Sequence, residues 1–176
     1  MTPTRPTPTA RPIRRRARMV LDELDWRLLA HLQRDARVST AELGRQLRLS
    51  APGVQKRLRR LEESGVIERY VTVVDRAAVG LDLMCFVLVM LAHHRADSVK
   101  RFRAGIMSLP EVLECHYLTG EFDCLLKIVV ANHEALQRFT ERLIRIGGVD
   151  RVRTSIVLEE LKSGTELPLG GIAKDA

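Results

Sequence analysis

The sequence predicts an α+β protein with two parts. An N-terminal three-helix helix-turn-helix domain of winged-helix-like type precedes a C-terminal ferredoxin-like βαββαβ domain. Two observations predict this division. Before residue 70, apolar side chains recur at the three- and four-residue spacing of helices; after residue 80, apolar runs of strand length alternate with helical segments. The order of those later segments is typical of the split βαβ unit.

Three helices are predicted in the first part. The first covers 21–35, where leucines recur at helical spacing and two acids near the start favour the helix dipole. Ser39 can cap the second helix, and Glu42 three residues later predicts a capping box. After a short turn, Ser50 can cap the third helix, which carries apolar residues at i, i+4 and i+7 and ends at Gly65.

The third helix carries a cationic face opposite its apolar stripe. Five polar residues, all basic or amide, lie within six positions: Gln55, Lys56, Arg57, Arg59 and Arg60. A short cationic helix behind a capped partner helix is typical of a motif that enters the major groove of DNA, where these side chains address base edges and phosphates. We therefore expect double-stranded DNA as the partner, with the capping residues Ser39 and Ser50 at the contact. The alternative is a solvated basic face on an ordinary core helix.

The distribution of charge supports a polyanionic partner for the first part only. The formal net charge is +7, and the whole excess lies in residues 1–75, because acids and bases balance in 76–176. We divide the chain into five parts: a basic arm without regular structure (1–18), a helix-turn-helix domain (19–69), a strand and hinge linker (70–80), a ferredoxin-like domain (81–168) and a tail (169–176). The arm either touches phosphates beside the main site or is a solvated extension.

The second part reads as four strands and two helices. Strands are predicted over 83–92, 112–118, 124–130 and 151–160, and helices over 98–109 and 134–146. The first of these strands is a continuous apolar run, which is typical of burial on both faces. Since helices on one side leave the other face of the sheet apolar, we expect a second copy of the chain to cover it, which gives a homodimer.

The cysteines and the absence of long apolar runs indicate the cellular compartment of the protein. Cys85, Cys115 and Cys124 have no CxxC spacing and lie in apolar runs, so we expect buried thiols in a reducing cytosol. The alternative is that Cys115 and Cys124 approach each other across a hairpin as a redox pair. No run is long enough to span a bilayer, and the start lacks the apolar core of a signal peptide. We predict a cytoplasmic protein with no membrane partner, cofactor, metal or catalytic residue.

Six short motifs follow one another along the chain. In the first part they are L-D-E-L-D, D-A-R-V-S and R-L-R-R-L-E-E-S-G-V-I; in the second they are L-P-E-V-L-E-C-H, T-G-E-F-D-C-L-L-K and R-T-S-I-V-L-E-E-L-K. Together they resemble the Lrp/AsnC family, also called feast/famine regulators. The resemblance covers about residues 21–168. It implies a transcription regulator that assembles as dimers, often stacked into octamers. It also implies that a small effector, usually an amino acid, binds between the C-terminal domains.

The same resemblance implies an effector site with two groups of residues. A hairpin group and a second group are carried over by motif match: Tyr117, Thr119, Gly120, Glu121, Phe122 and Asp123, then His133, Ser155, Ile156 and Val157. Gly120 permits a tight turn, and Asp123 can accept a hydrogen bond from an α-ammonium group. His133 and Ser155 replace larger, less polar side chains of the leucine-responsive member, so leucine does not follow as the effector.

Two other functions remain open at this stage. One is an architectural nucleoid protein that wraps DNA with little effector control. The other is an enzyme like the sirohaem decarboxylases related to this family, for which the sequence offers no matching set of histidine, carboxylate and basic residues. A metal site made of Cys115, His116, His93 and His94 lacks the spacing of metal ligands.

Overall fold

A computed structural model describes residues 19–92 and 96–169, which form two compact units. The first unit comprises the described residues up to Val73 together with 162–169, and the second unit comprises residues 74–161. The predicted basic arm, the histidines His93 and His94, and the tail beyond residue 169 lie outside the described residues.

The first unit is built on three helices around a small apolar core. They are α1, Glu23–Arg34; α2, Thr40–Leu47; and α3, Ala51–Glu63. Each helix contributes fully or almost fully buried side chains to one cluster: Leu28, Leu43, Leu47, Val54 and Leu61. The helical spacing read from the sequence is therefore confirmed, and Gly65 follows α3 with φ +71°, as expected for a residue that ends a helix.

The predicted helix caps are present, but the capping box lies elsewhere. Ser39 accepts a hydrogen bond from the backbone N–H of Glu42, and Ser50 accepts one from that of Gly53. The box predicted at Ser39 is wrong, because the Glu42 carboxylate binds Arg45 and Gln46 on its own helix instead. The reciprocal pair of hydrogen bonds occurs at the start of α1, between Asp22 and Asp25.

The turn between α2 and α3 depends on Gly44. The backbone N–H of Leu49 donates to the carbonyl oxygen of Gly44 at 2.8 Å. A Cβ on Gly44 would lie 2.6 Å from the carbonyl oxygen of Leu49, which is too close for any other residue type. Arg48 closes α2 in the left-handed conformation at φ 56°. A glycine inside a helix, otherwise unfavourable, is therefore required by the approach of the two helices.

The second unit has the predicted order βαββαβ. Its elements are β1, Leu83–Leu91; α4, Ala96–Met107; β2, Val112–Tyr117; β3, Cys124–Val130; α5, His133–Ile144; and β4, Val149–Ile156. The four strands are antiparallel and lie in the order β2-β3-β1-β4. This is the ferredoxin-like arrangement, and a short 3₁₀ helix, Ala77–Val79, precedes it.

The two helices cover one face of the sheet, and the other face is only partly covered. On the covered face, Cys85, Val87 and Val89 of β1 are completely buried with residues of α4 and α5. On the open face, Phe86 is 38% exposed and Leu88 is half-buried. The prediction that β1 is buried on both faces is therefore wrong for a single chain, because none of the described residues of this unit forms a second layer over the side chains that point away from the helices.

Two further expectations differ from the structure. No strand forms at 70–74, where Tyr70, Val71, Val73 and Val74 are all exposed, because strand residues need a neighbouring strand and none of the described residues provides one. Cys115 is exposed, whereas Cys85 and Cys124 are buried as expected. Cys115 lies on β2, which is an edge strand of the sheet.

Candidate DNA-binding surface and effector site

The outward face of α3 presents three of the five predicted DNA-binding residues. Gln55, Lys56 and Arg59 are exposed, and they have no hydrogen bond or ion pair within the part of the chain that the structure describes. Their spacing places them on one side of the helix, away from Val54 and Leu61 in the core. These are the side chains that α3 offers to a partner.

Arg57 and Arg60 are held instead by the start of α1. Arg57 donates from Nη1 to Asp25 Oδ1 and to Asp22 Oδ2, both at 2.7 Å, and Arg60 donates to the second oxygen of Asp25. The Asp25 side chain is 0% exposed, while Arg57 is 24% and Arg60 46% exposed. The Asp25 carboxylate also accepts from the backbone N–H of Asp22, so both of its oxygens are satisfied.

The charges in this cluster shift two pKa values in the sense that favours ion pairing. Desolvation by itself raises the pKa of Asp22, but the hydrogen bonds from Arg57 and from the Asp25 backbone bring that pKa below its usual value of 3.8. Hydrogen bonds to Asp22 and Asp25 raise the pKa of Arg57. The cluster, Asp22, Asp25, Arg57 and Arg60, is hereafter the α1–α3 ion-pair cluster.

Sequence reasoning missed this cluster, although one signal for it was present. It grouped all the cations of α3 as one outward face, but Arg57 and Arg60 lie three positions apart and share the side nearest α1. Asp22 and Asp25 are also three positions apart, and Asp25 falls within the apolar stripe of α1. An acid at a core position, facing a helix with two suitably spaced arginines, indicates such a pair. Ser39 and Ser50, also predicted at the contact, use their hydroxyls as helix caps.

The predicted effector hairpin joins β2 to β3 and is fixed to β1. The backbone N–H of Leu118 donates to the carbonyl oxygen of Asp123 at 2.8 Å, which closes the loop of residues 119–122. Gly120 has φ +124°, a conformation that favours glycine. The Asp123 carboxylate accepts from the backbone N–H of Leu91 at 2.8 Å, and the Asp123 N–H donates to the Val89 carbonyl oxygen.

The Tyr117 side chain lies beside the base of this hairpin. Partial burial, and then the Asp123 carboxylate, raise the pKa of the Tyr117 phenol. The phenol is 60% exposed, and Thr119, Gly120 and Glu121 are exposed as well. The hairpin therefore presents a phenol, a carboxylate and turn backbone together at one end of the sheet.

The second predicted effector group lies toward the other end of the sheet. Ser155 pairs with Phe86, which in turn pairs with Lys127, and the Val157 N–H donates to the Met84 carbonyl oxygen beside Val129. At about 3.3 Å per residue, these positions are displaced from Asp123 by roughly 13 to 20 Å along the strand direction, and β4 also lies two strands away from β3.

The remaining members of that group do not close this gap. His133 begins α5 beyond the end of β3, so it is also remote from the hairpin, and it is exposed. Ile156 pairs with Cys85 and is exposed at the edge of the sheet. One chain therefore does not bring the two predicted groups together.

Comparisons with known proteins agree with both units. Residues 84–167 match the model of the Lrp/AsnC ligand binding domain, and residues 21–68 match that of a winged helix-turn-helix DNA-binding domain. The leucine-responsive regulatory protein of Salmonella typhimurium is 36% identical over 148 residues, covering 84% of this chain and 90% of its own. That of Rhizobium meliloti is 36% identical over 153 residues, covering 86% and 98%.

Solved structures show the same similarity. A transcriptional regulator of Neisseria meningitidis, solved as a complex with L-Met, has a TM-score of 0.83 and 33% identity, covering 87% of this chain and 99% of that one. An AsnC family regulator of Agrobacterium tumefaciens has a TM-score of 0.81 and 33% identity, with 86% and 99% covered.

A helix-turn-helix domain followed by a ligand-binding ferredoxin-like domain defines a DNA-binding transcriptional regulator that responds to an effector. The chain belongs to the Lrp/AsnC family, whose members are oligomeric. No helix within residues 19–92 and 96–169 is long and apolar enough to cross a membrane. Within the same ranges, no three His, Cys, Asp or Glu side chains are grouped as metal ligands would be.

Proposed function

We propose that this protein is a homo-oligomeric, sequence-specific transcription regulator of the cytoplasm whose operator binding responds to an amino acid. In this proposal it acts by binding and catalyses no reaction. The observation that carries the DNA-binding half is the division of the cations on α3. Gln55, Lys56 and Arg59 are exposed and have no partner among residues 19–92 and 96–169, while the α1–α3 ion-pair cluster fixes the orientation of the helix that bears them.

This division assigns different roles to neighbouring arginines. Arg59 and Lys56 contact phosphates, and Gln55 reads a base edge. Arg57 and Arg60 position the helix through Asp25. In a twofold dimer, two copies of α3 address two half-sites about one helical turn of DNA apart.

The salt dependence of operator binding tests this assignment. Each cation that neutralises a phosphate contributes about 0.9 to the slope of log affinity against log salt concentration. Lys56 and Arg59, each present twice in a dimer, account for a slope of about 3.6, and adding Arg57 and Arg60 would raise it to roughly 7. The double variant Lys56→Ala with Arg59→Ala should therefore lower the slope by about 3.6. Arg138→Ala, which removes an exposed charge from α5, is the matched control and should leave the slope unchanged.

A drop well below that value in the double variant, with folding intact, would exclude α3 as the main phosphate contact. An equal drop in the Arg138→Ala control would show that the effect follows net charge alone. Arg59→Ala alone should weaken operator binding while assembly, measured by light scattering, stays unchanged.

The effector half of the proposal rests on the position of the two predicted groups. The hairpin offers the Asp123 carboxylate for an α-ammonium group and turn backbone N–H groups for a carboxylate. Because the second group lies far from it in the same chain, we place the effector between two copies, with the hairpin of one and the β4 residues of the other. The neisserial relative solved with L-Met supports an amino acid as the ligand class.

Mixing two inactive variants tests whether the site is shared. Asp123→Asn damages the hairpin group, and Ser155→Leu fills space in the second group. Each variant alone should fail to bind the effector found by a thermal-shift screen of the amino acids. Mixed oligomers should regain binding, because one of their sites combines two intact groups. No recovery in oligomers proven to be mixed would place the whole site within one chain.

The choice of substitution at Asp123 follows from its contact with β1. Asp123→Asn keeps an oxygen that can accept from the Leu91 N–H, so it removes the charge and preserves the hairpin. Asp150→Asn, an exposed position on β4, is the matched control. Loss of effector binding in the first variant alone supports the ammonium contact. If no amino acid changes the stability, assembly or operator affinity of the parent protein, the architectural nucleoid function replaces this proposal.

A further inference from the structure

Cys115 and Cys124 lie on the same face of the hairpin that joins β2 to β3. In the register of these strands Cys115 pairs with Leu126 and Tyr117 pairs with Cys124. The two cysteines are therefore diagonal neighbours on the face that Leu126 shares, and their thiols lie close enough to share a hydrogen bond. Cys85 lies on the same face but on β1, opposite Ile128 and further along the sheet.

The two thiols differ in accessibility, as an attacking and a resolving thiol do. Cys115 is exposed on the edge strand β2, whereas Cys124 is 1% exposed beneath the helices. A peroxide can reach the first sulfur and not the second. The buried thiol is protected from direct oxidation and remains next to the exposed one.

The environment of the pair favours a thiolate at Cys115. A hydrogen bond from the Cys124 thiol lowers the pKa of Cys115 against the opposing effect of burial, and His116 and Arg103 lower it further. The same hydrogen bond, together with burial, raises the pKa of Cys124. The thiolate is the reactive form of cysteine, so the exposed sulfur is also the activated one.

We propose that Cys115 and Cys124 form an oxidation-responsive dithiol that closes to a disulfide across the base of the effector hairpin when the protein meets a peroxide. The Cys115 thiolate attacks one peroxide oxygen, the O–O bond breaks, and Cys115 becomes a sulfenic acid while the other oxygen leaves as water after protonation. The Cys124 sulfur then attacks the sulfenic sulfur. The S–S bond forms, the S–O bond breaks, and the Cys124 proton leaves with the hydroxyl group as a second water.

The disulfide would constrain the hairpin that carries Asp123. Cys124 is bonded directly to Asp123, whose carboxylate and N–H fix the hairpin to β1. Closing the bond locks the two strands at the point where the loop begins. Reduced and oxidised protein should therefore differ in effector affinity; this consequence rests on the proposed function, whereas the thiol chemistry does not.

Thiol counting after peroxide treatment tests the chemistry alone. The full chain is treated with hydrogen peroxide, denatured and titrated with a thiol reagent. The number of free thiols per chain should fall from three to one. Cys85→Ser is the matched control and should lose both of its remaining thiols in the same way. Cleavage after Glu121 separates the two cysteines, so the peptides stay joined before reduction only if the disulfide has formed.

The single variants separate the two steps. Cys124→Ser should stop at a sulfenic acid on Cys115 that dimedone captures, and Cys115→Ser should lose no thiol at the same peroxide dose. Three outcomes would overturn the proposal: unchanged thiol counts in the parent chain, equal oxidation of Cys85, or disulfides only between chains on a non-reducing gel. A disulfide that forms without changing effector affinity would leave the thiol chemistry standing and remove its link to the effector site.

Discussion

Replacing Gly44 with alanine tests whether the turn between α2 and α3 is as close as the structure shows. The added Cβ would lie 2.6 Å from the carbonyl oxygen of Leu49. Since a close carbon–oxygen contact is about 3.3 Å, the backbone must shift by roughly 0.7 Å. The displaced atom belongs to the backbone and its neighbour Ser50 caps α3, so the shift cannot be absorbed by a side-chain rotation.

Two opposing contributions determine how Gly44→Ala changes the free energy of unfolding. Overpacking typically costs about 1–3 kcal/mol, whereas alanine in place of glycine within a helix gains about 1 kcal/mol. We expect Gly44→Ala to lower the free energy of unfolding by up to about 2 kcal/mol. If the close approach were absent, the same substitution would stabilise the protein by about 1 kcal/mol instead.

Urea unfolding followed by tryptophan fluorescence measures this change in stability within the helix-turn-helix unit. Trp26 is the only tryptophan of the chain and lies on α1, within the helix-turn-helix unit. Gly53→Ala is the matched control, because its Cβ would meet only the Ser50 Oγ at 3.2 Å, a side-chain atom that needs to move far less than the Leu49 backbone, so we expect a smaller loss of stability than at Gly44. A stabilised Gly44→Ala variant would refute the turn geometry.

Three further predictions concern buried and capping contacts. Asp25→Asn should lower the free energy of unfolding by about 1.5–3 kcal/mol because Arg57 and Arg60 lose the charge on their buried acceptor, and a loss below about 1 kcal/mol in the urea assay would contradict the ion pair. The pKa of Asp22 is lowered, so its charge stabilises the fold above pH 3.8 and loses this effect as the pH falls further. The parent protein should therefore be more stable than the Asp22→Asn variant by about 0.5 kcal/mol at pH 7, and this difference should disappear in acid. A difference that stays constant with pH would contradict the ion pair. Gly105→Ala would bring a Cβ within 2.8 Å of the Ile146 side chain. After the helix gain of about 1 kcal/mol it should cost up to about 2 kcal/mol in circular dichroism melts, whereas in an Ile146→Ala background it should stabilise.

The helices and strands could be predicted from the sequence because their signals are local. Ser50 and Gly65 mark the ends of α3 by their own side-chain and backbone chemistry, and the run at 124–130 is bounded by a turn on one side. The segment 70–74 has the composition of a strand but forms none, since a strand also needs a neighbour that composition does not supply.

The sites could be predicted only in part, because they depend on contacts between distant positions. Arg57 and Asp25 are 32 residues apart, and nothing in either neighbourhood fixes which cation of α3 turns inward. The hairpin around Asp123 was recognisable as one unit since its residues are consecutive. Its separation from Ser155 follows from the strand register, which the motifs do not contain.

The α1–α3 ion-pair cluster supplies an orientation that the apolar core cannot. Val54 and Leu61 hold α3 against its neighbours, but hydrophobic contacts are not directional and tolerate a small rotation of the helix about its axis. A rotation that leaves both residues in the core would still move both arginines out of hydrogen-bond distance of Asp25 and leave a buried carboxylate unpaired. That arrangement costs several kcal/mol, which is enough to exclude it. The same contacts that withdraw two cations from the surface therefore determine that Gln55, Lys56 and Arg59 face outward.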